Sequence, residues 1–315
     1  MRIPFVRKKV VLGIDPQPGE LRLAVMTQQG NCFYLTHAVR YALPGFLIDG
    51  STRQWDALTT ALMAAMHEWQ SVAQFAVMGL PGQLTRSQQV RLPRQLGERD
   101  ILQQVQSHLA RDLPGENNLC VDFVSLPAPE PALQRIHFMA AKETHVLQCQ
   151  QAVNAAGLML HVIDVDVYAL VRCIMHCLSP TWQGMQASAK AILYAANLRK
   201  VYLALFDEDR LLFHHEWHDV QSIAALLAEV NLKMQPYAAS MTTAISHCIV
   251  CGDDRVVNAI SAMTLSWAAH VVTFDFPAFL GGANSNIKII QNKETIIKES
   301  ASHLISCGLA MRGDA

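Results

Sequence analysis

Three short stretches of this chain carry the side chains a metal site uses. His247-Cys248-Ile249-Val250-Cys251-Gly252 contains Cys-x-x-Cys-Gly, which is half of a zinc knuckle. Cys173-Ile174-Met175-His176-Cys177 sets two thiols at i and i+4 on one helix face, with His176 one turn after Cys173. Joined, the two stretches offer the four ligands that a tetrahedral zinc needs. His214-His215-Glu216-Trp217-His218 is one residue short of the His-Glu-x-x-His spacing that puts two imidazoles beside a metal. Each has a plainer reading. Cys248–Cys251 reads as a buried strand, where residues three apart point to opposite faces, so buried thiols are expected there. On a strand His214, Glu216 and His218 share a face, which is expected to be polar and exposed. With 13 His and 26 Asp plus Glu some chance proximity is certain, and no Ser-His-Asp or paired-carboxylate arrangement stands out. No bound metal is expected.

The elements that must hold these residues follow from hydrophobic periodicity. Val10–Ile14, Leu21–Met26 and Cys32–Val39 read as strands, the first two flanking the turn Asp15-Pro16-Gln17-Pro18-Gly19-Glu20. Pro44–Gly50 is a loop. Trp55–Trp69 is a helix with Leu58, Leu62 and Met66 in register, and Phe75–Leu80 is a strand closed by Pro81-Gly82. An entry strand through Val90-Arg91-Leu92-Pro93 then leads to a helix over Glu98–Asp112, a strand at Leu119–Val124 and a Pro-rich turn at Leu126–Pro131. Phe138 to Cys177 reads as strand, helix, strand, helix, with Gly157 at the stop of the first helix, where only glycine takes the left-handed position freely. Thr181–Ser188 is polar and reads as a hinge. The second half has strands at Ala189–Ala195, Val201–Phe206 and Leu211–Trp217, a helix at Val220–Leu232 and a strand at His247–Cys251. A helix at Asp253–Ala269, striped by Val256, Ile260, Met263 and Trp267, and a closing helix at Glu299–Arg312 complete it.

The 315 residues suffice for a sizeable core and two domains, and 51% hydrophobic against 16% charged residues is a globular composition. A net charge of −1 gives no reason to expect nucleic acid, whose binding rests on phosphate neutralisation. Arg2, Arg7, Lys8 and Lys9 are followed by no long apolar run, so no secretory signal is expected. Nor is a membrane span, since the long uncharged stretch Met234–Gly252 is broken by polar residues and Pro236. Eight cysteines without a signal point to free thiols in a reducing compartment and no disulfides.

The run Phe138–Cys177 resembles the PilM family of type IV pilus assembly proteins, within the actin-like superfamily close to FtsA. The residues that carry the resemblance are Ala155-Ala156-Gly157-Leu158, Ile163-Asp164-Val165 and Tyr168-Ala169-Leu170. Leu92-Pro93, the helix after it, Leu113-Pro114 and Asp122-Phe123 follow a similar succession, and Gly308-Leu309-Ala310-Met311-Arg312 resembles the family's ending. The fold this implies is α/β with mixed sheets, an actin-like (ribonuclease H-like) pair of halves. Residues 1–82 would form the first large subdomain, 83–164 an inserted small one, 165–180 a helix returning to the first, and 181–315 the second half. About thirty residues between Trp217 and His247 imply that the small subdomain of the second half is reduced.

Actin-like enzymes hold phosphates with two hairpin turns, whose carboxylate orients Mg²⁺ and water while glycine and hydroxyl residues donate to phosphate oxygens. Asp15 and Gly19 stand in the first turn, but Pro16 and Pro18 lack an N–H and Glu20 adds a negative charge. In the second turn the expected Asp is Ala195 and the expected Gly is Asn197. Arg199 and Lys200 read as a solvated hairpin tip, and the adenosine loop keeps one glycine, Gly252. Asp15, Gly19 and Gly252 are therefore the remnant of a nucleotide pocket for ATP and Mg²⁺, and no ATPase activity is expected. The resemblance implies instead a cytoplasmic scaffold or adaptor, peripheral at the inner membrane, that binds the cytoplasmic N-terminal peptide of a bitopic PilN-like protein and touches other pilus or secretion platform proteins. Its groove would be built from Arg91, Leu92, Pro93, Phe123, Asp164 and Tyr168. An ATP-binding switch is the alternative.

Overall fold

The computed structural model describes residues 9–43, 52–69, 73, 75–113, 115–116, 118–128, 130–178, 189–207, 210–240, 244–261, 265–282, 285–290 and 293–314. The loop expected at Pro44–Gly50 and the hinge expected at Thr181–Ser188 lie outside them.

The chain opens with an antiparallel meander, β1 (Val10–Gln17), β2 (Gly19–Gln29) and β3 (Cys32–Leu43), followed by α1 (Thr52–Glu68) and β4 (Phe75–Leu80). The first turn is tighter than its composition suggested. Gln17 pairs with Glu20, so Pro18 and Gly19 alone make the bend, and Asp15 lies within β1 opposite Arg22. Pro18 presets its own φ, and Gly19 takes a φ of 82° that an L side chain resists. Next come β5 (Thr85–Pro93), α2 (Glu98–Asp112), β6 (Leu119–Pro127) and β7 (Leu133–Lys142). They form a separate three-stranded antiparallel sheet in the order β5-β7-β6. Ile101, Val105 and Leu109 of α2 recur at helical spacing and close a small core over Ile136, Phe138 and Ala140 of β7.

The inserted unit ends sooner than the expected Asp164. In α3 (Glu143–Ala155), Cys149, Ala152 and Val153 bury against the α1 side of the first sheet, and β8 (Met159–Val165) pairs in parallel with β4. The three-stranded sheet and α2 thus span Thr85–Lys142, and β8 completes a six-stranded sheet in the order β14-β3-β2-β1-β4-β8, where β14 is Ile287–Ile289. After α4 (Asp166–Leu178) the second half builds a five-stranded sheet from β9 (Lys190–Asn197), β10 (Lys200–Asp207), β11 (Arg210–His218), β12 (Ile245–Gly252) and β13 (Ala268–Thr273), in the order β11-β10-β9-β12-β13. A single helix, α5 (Ile223–Ser240), joins β11 to β12, where a second small subdomain was expected to be reduced.

Two expected helices are shorter. α6 (Asp254–Ser261) stops before Trp267, because the chain returns as β13 to pair in parallel with β12. The closing segment divides into α7 (Phe276–Gly281), α8 (Lys293–Glu299), a 3-10 turn at Ser300–Ser302 and α9 (Leu304–Ala310). Asp275 caps α7 by accepting from Ala278 N at 2.8 Å.

Period-two alternation lets each sheet serve two layers. On β1, Leu12 and Ile14 face α1 and α3, whereas Val11 joins a central layer with α4, α9 and the inward faces of β9, β10 and β12. α5 and α6 cover the outer face of the second sheet. At the centre, α9 and α4 approach at backbone distance, since a Cβ at Gly308 would stand 1.9 Å from the Ala169 carbonyl oxygen. Gly308→Ala is therefore expected to cost about 2–3 kcal/mol in urea unfolding, because neither buried backbone can yield.

Candidate functional site

The central layer ends in polar side chains, and they follow from the same alternation. Val11, Gly13 and Asp15 share one face of β1, and Arg22 stands opposite Asp15 on β2. On the second half, Lys200 and Tyr202 of β10 pair with His218 and Glu216 of β11. Composition had suggested an exposed face, but His214 and Glu216 turn toward the first half, and His218 at its end stays exposed. Glu216 has 5% side-chain exposure and Lys200 has 4%. The reading of Lys200 as a solvated hairpin residue is overturned for the same reason: the first half covers it.

Lys200 Nζ donates to Asp166 Oδ2 at 2.8 Å and lies 3.2 Å from Glu216 Oε2. Asp166 also accepts from the Tyr202 hydroxyl at 2.8 Å, and its other oxygen accepts from Val167 N at 2.7 Å and Gly82 N at 3.1 Å. Gln17 Nε2 donates to Tyr202 OH at 3.1 Å and to Asp15, while Arg22 reaches both Asp15 and Glu20. Burial pushes the Asp15 carboxyl up to about 6 against the pull of Arg22. Burial, then Asp166, raises Glu216, with Lys200 opposing. Burial disfavours charge on Lys200, yet Asp166 and then Glu216 hold its pKa above the ordinary value. The network ties the start of α4 to β10 and β11, so it joins the two halves with an internal cation.

Asp15, Gly19 and Gly252 are not gathered around an open space. Asp15 is spent in the network, and a Cβ on Gly19 would stand 2.8 Å from Arg199 Nη1, so the tips of the two expected phosphate turns touch. A Cβ on Gly252 would stand 2.0 Å from the Ala195 carbonyl oxygen. Gly252 does border a cavity of about 130 Å³, below the roughly 300 Å³ at which small-molecule sites begin, with Asp254 and Asp275 in its wall and no Lys or Arg among the described residues. That lining repels phosphate. The cysteines fit the plainer reading: Cys248 and Cys251 are buried, and burial pushes the Cys248 thiol up to about 12. Among the described residues no three His, Cys, Asp or Glu side chains are placed to share a metal.

A second site is open. β6 is one edge of the three-stranded sheet, with β5 at the other, and β8 is one edge of the six-stranded sheet, with β14 at the other. Two adjoining cavities of about 370 and 220 Å³ lie between them, and Asp122, Met139, Asp164 and Arg312 line both. Cys120 and Asp122 share the face of β6 that lines the smaller one with Ile163 and Val165 of β8, and Phe123 and Tyr168 border the larger. The walls are fixed from behind. Asp164 accepts from Val165 N at 2.9 Å and binds Arg172 Nη2 at 2.8 Å. Tyr168 OH and Ser87 Oγ both meet His137 Nε2, at 2.8 and 3.1 Å, and burial lowers the His137 pKa, so the ring is neutral at pH 7. Phe123 N donates to its own neighbour Asp122 Oδ1 at 2.9 Å.

Of the six residues assigned to a partner groove from sequence, Phe123, Asp164 and Tyr168 line it. Arg91, Leu92 and Pro93 do not. They pair with Arg135, Gln134 and Leu133 on the far side of β7, and Arg91 Nη1 lies 3.3 Å from Glu130. β7 inserts between β5 and β6, a strand order that chain order does not announce. Arg312 and Met139 were missed; only the last position of the Gly308–Arg312 ending had drawn notice, and nothing local places it in a groove.

The family model for the type IV pilus assembly protein PilM matches residues 13–218. The chain is similar to a solved structure described as the PilM–PilN type IV pilus biogenesis complex, with a TM-score of 0.76 at 14% identity over 97% of this chain and 98% of that one. A Bacteroides thetaiotaomicron protein with an actin-like ATPase fold and unknown function aligns at TM-score 0.47 and 11% identity over 87% and 94%. The cytoplasmic domain of EpsL, an inner-membrane component of the Vibrio cholerae type II secretion system, aligns at TM-score 0.48 and 8% identity over 93% and 94%. No curated protein matches the chain in sequence.

Proposed function

The chain belongs to the PilM family of type IV pilus assembly proteins, and on that premise we propose that it is a non-catalytic adaptor. Its β6–β8 groove takes the cytoplasmic N-terminal peptide of a bitopic PilN-like protein. The observation that carries this reading is the pair of free strand edges bordering one apolar groove. An extended segment can pair with a free edge through its backbone and set its side chains into the cavities. The neighbour in the PilM–PilN complex supports the choice of partner class. No described helix is long and apolar enough to cross a membrane, so the proposed place at the cytoplasmic face of the inner membrane comes through that partner. The absence of catalysis is supported by the closed cleft, where Lys200 is buried between the halves and the cavity beside Gly252 is acidic in its described lining.

Cys120 is exposed, lines the groove and is a built-in reporter; of the other cysteines Cys32 is half-buried and the rest are buried. A synthetic peptide of the first twelve or so residues of a PilN-like protein from the same organism is expected to slow alkylation of Cys120 at least about tenfold at saturation, as covering an exposed thiol requires. Full-length partner binding with Cys120 as reactive as in the free protein would overturn the reading.

A further inference from the structure

We infer that Lys200 takes the place of the divalent cation that an actin-like cleft holds with its nucleotide, so the two halves of this chain are joined by a cation that cannot leave. The inference does not rest on the groove reading.

The ammonium comes from the second of the two turns in which phosphate donors were expected, and its carboxylates come from both halves. Asp166 opens α4, and Glu216 stands on β11. Asp166 Oδ2 lies 2.8 Å and Glu216 Oε2 3.2 Å from the same Nζ, with all three side chains 5% exposed or less. The Tyr202 hydroxyl adds a neutral oxygen 2.8 Å from Asp166, and Gln17 of the first turn reaches that hydroxyl at 3.1 Å. Two carboxylates with neutral oxygens beside them are a donor set for a hard cation such as Mg²⁺, which takes one or two carboxylates and keeps several waters. Here the lysine nitrogen stands between them instead.

The charges show how far the replacement goes. Two carboxylates face one ammonium. His214 and His218 stand nearby, and burial lowers both pKa values, so neither adds a positive charge at pH 7. Arg22 is engaged by Asp15 and Glu20. The site is therefore one positive charge short, and Glu216 carries the deficit. Neither of its buried oxygens accepts a hydrogen bond of full geometry among the described residues, and burial, then Asp166, pushes its carboxyl up. A divalent ion would balance the pair, whereas the ammonium balances half of it. What the chain gains is permanence. A dissociable cation makes closure depend on its concentration, and a covalently held one keeps the halves together at any level of nucleotide or metal.

The test uses the full chain at pH 7, with Mn²⁺ binding read by electron paramagnetic resonance and stability read as a thermal midpoint. The unmodified protein is expected to show no Mn²⁺ site that depends on Asp166, and to keep its midpoint within about 1 °C between EDTA and about 10 mM Mg²⁺. Lys200→Ala should take up one Mn²⁺ per chain with a dissociation constant on the order of 10⁻⁴ to 10⁻³ M. The same Mg²⁺ should raise the midpoint of this variant by at least about 3 °C. Adding Asp166→Asn, which leaves one carboxylate, should weaken Mn²⁺ at least about tenfold. If Lys200→Ala alone does not stay folded, its refolded fraction after dilution from urea must rise with Mn²⁺, because only the folded state brings both carboxylates together. Three results would each overturn the inference: an Asp166-dependent Mn²⁺ site in the unmodified protein, a Lys200→Ala variant indifferent to both metals in midpoint and refolding, or equal Mn²⁺ affinity with and without Asp166→Asn.

Discussion

Replacing Lys200 by methionine is expected to lower the free energy of unfolding by about 3–5 kcal/mol, the loss usual when one partner of a buried ion pair is removed. Methionine fills the volume of the lysine stem, so the effect isolates the charge. Without the ammonium, Asp166 and Glu216 would stand side by side at 2% and 5% exposure, with Tyr202 and the Val167 and Gly82 amides as remaining donors to Asp166. Two buried carboxylates this close cannot both ionise, so the protein must either take up a proton or part the halves. Urea midpoints at constant slope give the loss. Adding Asp166→Asn to the Lys200→Met background should recover part of it, since the pair was neutral and its two losses are not additive. A loss below about 1 kcal/mol would mean that Lys200 is solvated and that the halves are not joined through it.

The second large effect is acid sensitivity set by His303. This histidine stands at the residue before α9, has no measurable exposure and meets the Ser306 hydroxyl at 3.2 Å. Burial first, then the positive charges of Arg22 and Arg40, lowers its pKa from 6.5 to about 3. A group whose pKa is depressed in the folded state gives stability that is fully present above the unfolded value and lost as pH falls toward the folded one. From pH 6.5 to 3 the loss amounts to on the order of 4 kcal/mol. Asp15 acts in the opposite sense, because its raised pKa makes the folded state the better proton binder between 3.8 and about 6. The difference between the pH–stability curves of the unmodified protein and His303→Asn removes that shared term. It should slope upward with pH through this window; parallel curves would show that His303 is hydrated.

Much of the fold was legible because its signals are local. Val10–Ile14 and Leu21–Met26 alternate as strands do, and Ile101, Val105 and Leu109 recur as a helix face does. The departures have nonlocal causes. The stripe Val256, Ile260, Trp267 reads as one long helix, yet pairing of β13 with β12 ends it at Ser261. Lys200 beside Arg199 looks like any basic hairpin tip, and only the approach of the first half makes it the buried one. The geometry of the candidate groove was half legible. Phe123, Asp164 and Tyr168, read from local pattern, border one cavity, whereas Arg91–Pro93 lie across the sheet from it because sheet order is settled by β7, about forty residues on. Arg312 arrives from the far end of the chain.

The account turns on a groove that works without a nucleotide, and calorimetric titration of the N-terminal partner peptide with and without Mg-ATP tests that most directly. We expect dissociation constants on the order of micromolar, equal in the two conditions, with no heat from millimolar Mg-ATP alone. Peptide binding that appears only with Mg-ATP, and that an Asp15→Asn variant loses, would contradict the account and make the chain a nucleotide-driven switch.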